Sequence, residues 1–428
     1  MKFTEFDLNN NVAEAIADLG YVEATPIQEQ AIPVLLEGRD LVGCAQTGTG
    51  KTAAFAIPII HNIHRIVGSG KKRKQIRTVI LSPTRELAIQ IGEHFEALSK
   101  YTQIKTYVLY GGVNLIPQVN ALKEGVDVLV ATPGRFLDLY KQNKINIDGM
   151  HQLVIDEADL MLDMGFINDV RKIIKLTPDN RQTLMFSATM PLGVRELADE
   201  FLSNAEYVSV DPVSSASENV MQKAYQVEKE DKKKLLKHVL ETQQLQNVLL
   251  FTRTKHGADN VVEFLKKEGY KAEAIHGDKS QSVRLKILED FKAKNIDILV
   301  ATDVASRGID IQQLPFVINY DIPNIPEIYV HRIGRTGRAG SEGIALSFIG
   351  RDEQGYWKDI EKLIRKQVKV IKDHPYPWRE PNPNAKKDFR NKKTGTSAGG
   401  RQSTSKTKGP KQASRKSDNA KKNKKRWY

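Results

Sequence analysis

The stretch "VGCAQTGTGKTAAF" (42–55) decides how the rest of the chain is read. An apolar run, a glycine-rich turn and a helix-forming run follow one another. The general phosphate-loop pattern is G-x-x-x-x-G-K-[ST]. Gly50, Lys51 and Thr52 match it, and Ala45 stands at the first glycine position. Alanine is acceptable there if the backbone needs no positive φ. "DLVGCA" supplies a strand, the glycines a turn, and "KTAAFAIPIIHNI" a helix. Backbone amides at the start of that helix would cradle phosphates. Lys51 would reach the β- and γ-phosphates, and Thr52 would offer its hydroxyl to Mg²⁺. On its own, the loop is also compatible with a simple glycine-rich turn.

A second motif decides between the two. "LVIDEAD" (153–159) ends an apolar run with adjacent carboxylates, Asp156 and Glu157. A hard cation beside a triphosphate needs an oxygen ligand, and Asp156 fits that role. Attack on a γ-phosphate needs a positioned water, and Glu157 is placed to orient it. A third motif, "HRIGRTGR" (331–338), packs His331, Arg332, Arg335 and Arg338 into eight residues. It reads either as a solvated basic turn or as a cluster that closes over the triphosphate. In the second reading Arg335 and Arg338 are arginine fingers in cis, and hydrolysis depends on domain closure.

Outward from the loop, short β-rich apolar runs alternate with amphipathic helical pattern. "RTVILSP" (77–83), "DVLVATP" (127–133), "HQLVIDEAD" (151–159) and "TLMFSAT" (183–189) are followed by "NVLLFTRT" (247–254), "DILVATD" (297–303) and "PFVINYD" (315–321). Continuous apolar runs of this length suit strands buried on both faces, as in parallel sheets. Val283, Ile287, Leu288 and Phe291 fall on one helical face. The halves also echo one another. "DVLVAT" and "DILVAT" are offset by 170, Thr84-Arg85 and Thr252-Arg253 by 168, and Gly111 and Gly277 by 166. Such offsets predict two copies of one doubly wound α/β domain. A boundary is expected in "VDPVSSASENV" (210–220). The second copy has no Gly-Lys-Thr loop, so one nucleotide site is expected, at the carboxyl ends of strands and at the cleft between the copies.

The 428 residues predict two or three domains, and 40% hydrophobic with 27% charged residues reads as soluble and globular. The apolar runs are too short to span a membrane, which takes about 20 residues. The first residues lack the apolar centre of a signal peptide. One cysteine, Cys44, leaves no intramolecular disulfide framework, and a cytoplasmic setting is expected. The net charge of +13 is concentrated: residues 379–428 carry 17 Lys/Arg against 3 Asp/Glu, leaving 48 against 49 in the remainder. That segment has almost no aliphatic residues and cannot form a core alone, so it reads as a disordered polyanion-binding arm or as a solubilising tail.

Together, "AQTGTGKT" (45–52), "PTRELA" (83–88), "TPGR" (132–135), "DEAD" (156–159), "SAT" (187–189), "ATDVASRGID" (301–310) and "HRIGRTGR" (331–338) resemble the DEAD-box ATP-dependent RNA helicases over about residues 3–370. Length and basic tail look most like the bacterial RhlE-type group. In that family the loop begins with alanine, which accounts for Ala45. The resemblance implies two tandem RecA-like doubly wound parallel-sheet domains, at 1–209 and 221–372. A linker at 210–220 and a disordered basic RNA-binding tail at 373–428 complete the expected layout.

It further implies roles for individual residues. ATP and Mg²⁺ would be held by Ala45, Gln46, Thr47, Gly48, Thr49, Gly50, Lys51 and Thr52, with Asp156 also toward Mg²⁺. Gln28 would hydrogen-bond adenine, Thr25 would support that loop, and Tyr21 would stack on the base. Phe3 lies at the family's upstream aromatic position, and Ala24 stands where the family usually has proline. Thr25 before Pro26 is equally a helix cap. Asp310 would bind the ribose, with Gly308 beside it and Arg307 near the carboxylates. His331 would contact the same region. Ser187 and Thr189 would couple the ATP site to RNA. RNA would be touched by Pro83, Thr84, Arg85, Gly112, Thr132, Gly134 and Arg135, and by Arg253, Gly277, Arg284 and Thr302. Contacts to sugar and phosphate, including 2′-hydroxyls, explain a preference for RNA over DNA.

The expected mechanism is an ATP-driven clamp that opens a few base pairs locally and releases on hydrolysis, because ATP and RNA each favour closure. Partners would be single-stranded and duplex RNA, within a ribosomal precursor or an RNA-decay assembly, and no membrane. Two rivals remain at this stage. A DNA translocase of the same superfamily is opposed by Gln28 and the full DEAD set. A non-catalytic RNA scaffold is opposed by Lys51, Glu157, Arg335 and Arg338.

Overall fold

The computed structural model describes residues 1–46, 48–67, 75–210, 220–306, 314–337 and 343–378. Thr47, Arg307, Gly308, Asp310, Arg338, residues 211–219 of the linker expected at 210–220, and the basic segment 379–428 lie outside the described residues.

Among the described residues, fourteen strands form two sheets, and every ladder between them is parallel. The first sheet holds β1 (Leu41–Cys44), β2 (Thr78–Leu81), β3 (Thr106–Leu109), β4 (Val128–Ala131), β5 (Gln152–Ile155), β6 (Gln182–Ser187) and β7 (Glu206–Ser209). The second holds β8 (Val220–Gln226), β9 (Val248–Thr252), β10 (Ala272–Ile275), β11 (Ile298–Thr302), β12 (Phe316–Asn319), β13 (Gly343–Ile349) and β14 (Lys369–Ile371). The strand orders are β3-β4-β2-β5-β6-β1-β7 and β10-β11-β9-β12-β13-β8-β14, the same topology twice. This is the expected pair of doubly wound α/β domains.

The apolar runs form strands because both faces are covered. Along β4, Val128 and Val130 enter the core on one face, Leu129 and Ala131 that on the other. Along β11, Ile298 and Val300 alternate with Leu299 and Ala301 in the same way. A strand buried on both sides has no polar alternation, which is why these segments read as unbroken apolar runs. In the helix Gln281–Lys292, Ile287, Leu288 and Phe291 are buried as expected, but Val283 is 43% exposed. It sits in the first turn, just after the Ser280 cap.

The ladders correct one of the three sequence echoes. Val128 and Ile298 are equivalent, because Thr78 pairs with the first and Val248 with the second. The same register sets Thr84 level with Thr254, an offset of 170, rather than with Thr252. Both threonines cap the following helix: Thr84 Oγ1 accepts from Leu87 N at 3.3 Å and Thr254 Oγ1 from Gly257 N at 3.0 Å. The repeated Thr-Arg dipeptide is a coincidence of composition, whereas the cap is a requirement of the helix start. The offset of 166 for Gly111 and Gly277 agrees with the ladders, in which Thr106 and Ala272 are level.

Packing continues beyond residue 372, the expected edge of the second domain. The His374 ring lies edge-on to Tyr225, Tyr376 meets His238, and Trp378 Nε1 donates to the carbonyls of Val227 and Ile349, each at 3.1 Å. The Arg351 guanidinium lies 5.6 Å from the Trp378 ring centroid. Trp378→Ala is therefore expected to destabilise the second half by about 1–3 kcal/mol. The denaturant midpoint measures this, and an unchanged midpoint would place Trp378 outside the cooperative unit.

Candidate active site

The loop at 45–50 links β1 to the helix Lys51–Val67. Ala45 is buried, donates its amide to Ser187 O at 3.0 Å, and does not have a left-handed backbone. The positive φ values fall on Gly48 (84°) and Gly50 (93°), so the glycines stand where the turn demands them. At Gly50 a Cβ would also overlap the Gln28 amide. Gln28 is buried and doubly engaged. Its Oε1 accepts from Thr25 N at 2.9 Å and its Nε2 donates to Gly50 O at 3.1 Å. Thr25 and Pro26 begin the helix Pro26–Leu36, so the capping reading of that segment holds. Tyr21 lies 5.8 Å from Phe3 between ring centroids, and its hydroxyl meets His94 Nε2 at 2.8 Å.

Lys51, the first residue of its helix, is buried, and its Nζ donates to Glu157 Oε1 at 2.8 Å. Burial opposes the Lys51 charge, but Glu157, Asp156 and Asp159 outweigh it and hold the pKa above its ordinary value. Glu157 caps the following short helix with φ 53° and ψ 55°, a left-handed backbone that a non-glycine residue adopts at a cost of about 1–3 kcal/mol. Such strain is typical where a side chain must be aimed. Asp156 is buried, and its carboxyl is pushed up to about 7 by burial and then by the neighbouring Glu157 charge. Asp156 Oδ1 accepts no hydrogen bond within the described residues. A buried oxygen without a donor, lining the same cavity as Thr52, Gly48 and Gly50, fits Mg²⁺. The described residues contain no cluster of three or more His, Cys, Asp or Glu that would hold a metal alone, so most of its ligands would be phosphate and water.

The last carboxylate of "DEAD" was missed by sequence reasoning, and it joins two motifs. Asp159 Oδ2 accepts from both Thr189 N and Thr189 Oγ1 at 2.8 Å, and Asp159 N donates to Ser187 Oγ at 3.1 Å. Burial works against its charge, but Lys51, His331 and the threonine and serine bonds together hold its pKa below the usual range. His331 thus acts electrostatically on the first half from the helix Pro326–Ile333 of the second. That helix is pinned by Arg332, another residue given no role from sequence. Its buried guanidinium donates to Asp303 at 2.6 and 2.8 Å, to Asn319 Oδ1 at 3.1 Å and to Asp321 O at 2.7 Å. Arg335 follows the helix and is also buried.

A cavity of about 440 Å³ opens over Gly50, Lys51, Thr52, Asp156 and Glu157 and runs along the helix Arg85–Leu98 to His94. It is within the usual size of small-ligand sites. The phosphate end holds the loop and carboxylates, and the far end lies beside the Tyr21–His94 pair.

The residues expected to touch RNA fall into separate groups. Gly112 (φ 79°) leaves room for the Arg85 guanidinium, which a Cβ would overlap. Arg85 Nη1 donates to Gln281 Oε1 at 3.4 Å, Gln281 Nε2 to Glu86 Oε1 at 2.8 Å, and Arg284 pairs with Glu86 at 3.1 Å. Glu86 and Gln281, given no role from sequence, therefore bring Arg85 and Arg284 together across the two halves. Arg135 is turned onto its own domain, donating to the carbonyls of Tyr110 and Val113 at 3.0 and 2.9 Å. Pro83, Thr84, Thr132 and Gly134 stand at helix starts, with Gly134 exposed. In the second half, Thr302 ends β11, Gly277 is exposed, and its neighbour Asp278 is neutralised by Lys255 at 2.7 Å. Arg253 belongs to a third group, held by Glu353 and Ile322.

A phosphate loop facing strand-end carboxylates in one half, with a basic helix end in a loop-less second half, defines a two-domain nucleoside-triphosphatase. Comparison with known proteins narrows the class. Residues 25–197 match the DEAD/DEAH box helicase family and residues 231–340 the helicase conserved C-terminal domain. The ATP-dependent RNA helicase CshA of Limosilactobacillus reuteri is 45% identical over 372 residues, spanning 87% of this chain and 74% of that protein. CshA of Listeria monocytogenes is 43% identical over 370 residues, 86% and 70% of the two chains. Among solved structures, Saccharomyces cerevisiae Dbp5 bound to RNA and ADP BeF3 aligns with TM-score 0.76 at 27% identity, covering 92% of this chain and 98% of that one. A DEAD box protein of Methanococcus jannaschii aligns with TM-score 0.51 at 39% identity, covering 87% and 99%. The chain belongs to the DEAD-box ATP-dependent RNA helicase family. It is an RNA-dependent ATPase. The RhlE-type affinity expected from the sequence is not carried by these names. No helix among the described residues is long and apolar enough to cross a membrane.

The double engagement of Gln28 makes a specific prediction. Gln28→Ala leaves the Thr25 amide and Gly50 carbonyl without their partner, so nucleotide-free stability is expected to fall by about 1–3 kcal/mol. A glutamine that only reads adenine would leave the nucleotide-free unfolding midpoint unchanged.

Proposed function

We propose that this helicase remodels RNA locally, as a clamp whose single ATP site is completed by both halves. The observation that carries the reading is the Lys51–Glu157 pair at 2.8 Å, set beside Asp159 and its bonds to Thr189. Glu157 already has a cation at hydrogen-bond distance, and Lys51 would exchange that partner for the β- and γ-phosphates when ATP enters. Glu157 is then free to orient the attacking water. Gln46, Thr47, Gly48, Thr49, Gly50 and Thr52 would bind phosphates, while Phe3, Tyr21, Thr25 and Gln28 would form the base end. Thr52 and Asp156 would hold Mg²⁺, whose charge offsets that of the phosphates. Asp310, Gly308 and Arg307 would serve ribose and carboxylates, and Arg335 with Arg338 would meet charge developing on the γ-phosphoryl group.

Ser187 and Thr189 would report the state of that site through Asp159. RNA backbone would be held by Pro83, Thr84, Arg85, Gly112, Thr132 and Gly134, with Arg135 bracing the loop at 110–113. Arg253, Gly277, Arg284 and Thr302 would serve from the second half. The working division is a first domain at 1–209, a linker that ends before β8 rather than at 220, a second domain from Val220, and a basic RNA arm beginning after Trp378. A cytoplasmic location and work on ribosomal precursors or decaying RNA suit a single cysteine and backbone-only recognition. Within the family, similarity to the CshA proteins supports that affinity over the RhlE-type one.

Glu157→Gln tests the catalytic assignment. It removes the negative charge facing Lys51 while keeping the shape, so ATP and RNA still bind and turnover falls by about 10²-fold or more. Near-normal turnover at saturating RNA removes Glu157 from the role. Deleting residues 379–428 tests the arm. RNA affinity is expected to drop and its dependence on salt to flatten, with kcat at saturating RNA retained. An unchanged salt slope means that the segment does not neutralise RNA phosphates.

A further inference from the structure

The second half repeats the phosphate site in outline and fills it with protein. In the first half β1 leads through residues 45–50 into a helix that begins at Lys51, and Lys51 reaches Glu157, the second residue after β5. In the second half β8 leads through residues 227–231 into the helix Lys232–Thr242. Lys232 Nζ lies 3.3 Å from Asp321 Oδ1, and Asp321 is the second residue after β12. The ladders make the two carboxylates equivalent: Gln152 pairs with Thr78 and Phe316 with Val248, themselves level positions. Both lysines are buried.

The loops differ in kind. Residues 227–231 read Val-Glu-Lys-Glu-Asp, with no glycine and three carboxylates, so this turn cannot cradle phosphates. The anion is supplied instead by Glu353, 3% exposed, which receives four donors. Its Oε2 accepts from Lys232 Nζ at 2.8 Å and Gly350 N at 2.9 Å; its Oε1 accepts from Ile322 N at 3.1 Å and Arg253 Nη2 at 2.8 Å. Two cations and two backbone amides around one buried anion are the donors a phosphate site would offer. Arg253 alone among them reaches solvent, with 39% of its side chain exposed. Its guanidinium is fixed through Nη2, which also donates to Ile322 O at 2.8 Å, and it stacks 5.6 Å from the Tyr356 ring centroid.

We propose that Glu353 acts as an internal anion in the place that a phosphate takes in the first half, and that it thereby positions Arg253 for an RNA phosphate. Glu353 is a positioning residue, and its role rests on the reading of Arg253 as an RNA contact. The arrangement keeps the second half closed to nucleotide and turns the relic of a phosphate site toward nucleic acid.

The test uses the full chain and a single-stranded RNA oligonucleotide. The RNA concentration for half-maximal ATPase, the KM for ATP and the melting temperature are measured for Arg253→Gln, Glu353→Gln and the double variant. Each single change is expected to raise the half-maximal RNA concentration about tenfold, the loss of one charge-assisted contact, with the KM for ATP within twofold. The double variant should add nothing, because both changes remove the same contact. If Arg253→Gln has no effect, the RNA reading of Arg253 fails and the proposal with it. If Arg253→Gln weakens RNA binding but Glu353→Gln does not, or if the two effects add, the RNA reading stands and the positioning role is overturned. Should Glu353→Gln melt below the assay temperature, Glu353→Asp is measured in its place. It keeps the charge and shortens the reach, so a raised half-maximal RNA concentration at unchanged melting temperature is expected; an unchanged value overturns the proposal.

Discussion

A lysine buried at the first turn of a helix must have a carboxylate beside it. Desolvating an ammonium group costs several kcal/mol, and only an opposite charge with good geometry offsets this. The helix start adds to the need, because its own amides are already positive. Lys51 meets the requirement with Glu157, and the site is organised around that pair. The pair fixes where β5 ends relative to β1, although β6 lies between them. In the proposed clamp it would place a water-orienting carboxylate within reach of a phosphate-binding cation. On that reading, a triphosphate arriving with its own negative charge would give the lysine a new partner and release the carboxylate without leaving a bare charge.

In the proposed clamp, the same constraint would let the site sense its surroundings. Asp159 is buried in the field of Lys51 and of His331, and its oxygens are held by Thr189. Any shift of Lys51 toward phosphate changes the field at Asp159, and so the hold on Thr189. Any movement of the helix carrying His331 does the same from the other half. Arg332 makes that helix rigid by tying it to Asp303, Asn319 and the Asp321 carbonyl, so His331 moves with the second sheet rather than alone. Coupling of this kind needs only contiguous packed and charged groups with two arrangements.

Much of the fold was legible because double-sided burial leaves an unmistakable pattern. Runs such as "DVLVAT" and "DILVAT" became β4 and β11, and two glycines of the loop, Gly48 and Gly50, have the positive φ that its turn demands. What was not legible were polar residues whose importance lies in a partner distant in sequence. Glu86, Asp159, Gln281, Arg332 and Glu353 look like surface residues of amphipathic helices or turns until the partner is known. Their side chains are buried only because Arg284, Thr189, Glu86, Asp303 and Lys232 meet them. Trp378 reads as tail from sequence for a related reason: it follows a stretch with no periodic pattern, and what holds it is two carbonyls, Val227 just past β8 and Ile349 at the end of β13.

The two halves together show how one topology serves two anions. Each half places a lysine at the helix after its first strand and a carboxylate after its fifth. Where the intervening loop is glycine-rich and carries no carboxylate, the anion can come and go. Where the loop carries Glu228, Glu230 and Asp231, a mobile anion is repelled, and the buried lysine would be left without sufficient charge. Glu353 removes that penalty by being covalently part of the chain. A tethered anion cannot be hydrolysed or released, so the second half is constant while the first cycles. An asymmetric pair of this kind suits the proposed clamp, in which chemistry happens at one site and both halves grip RNA.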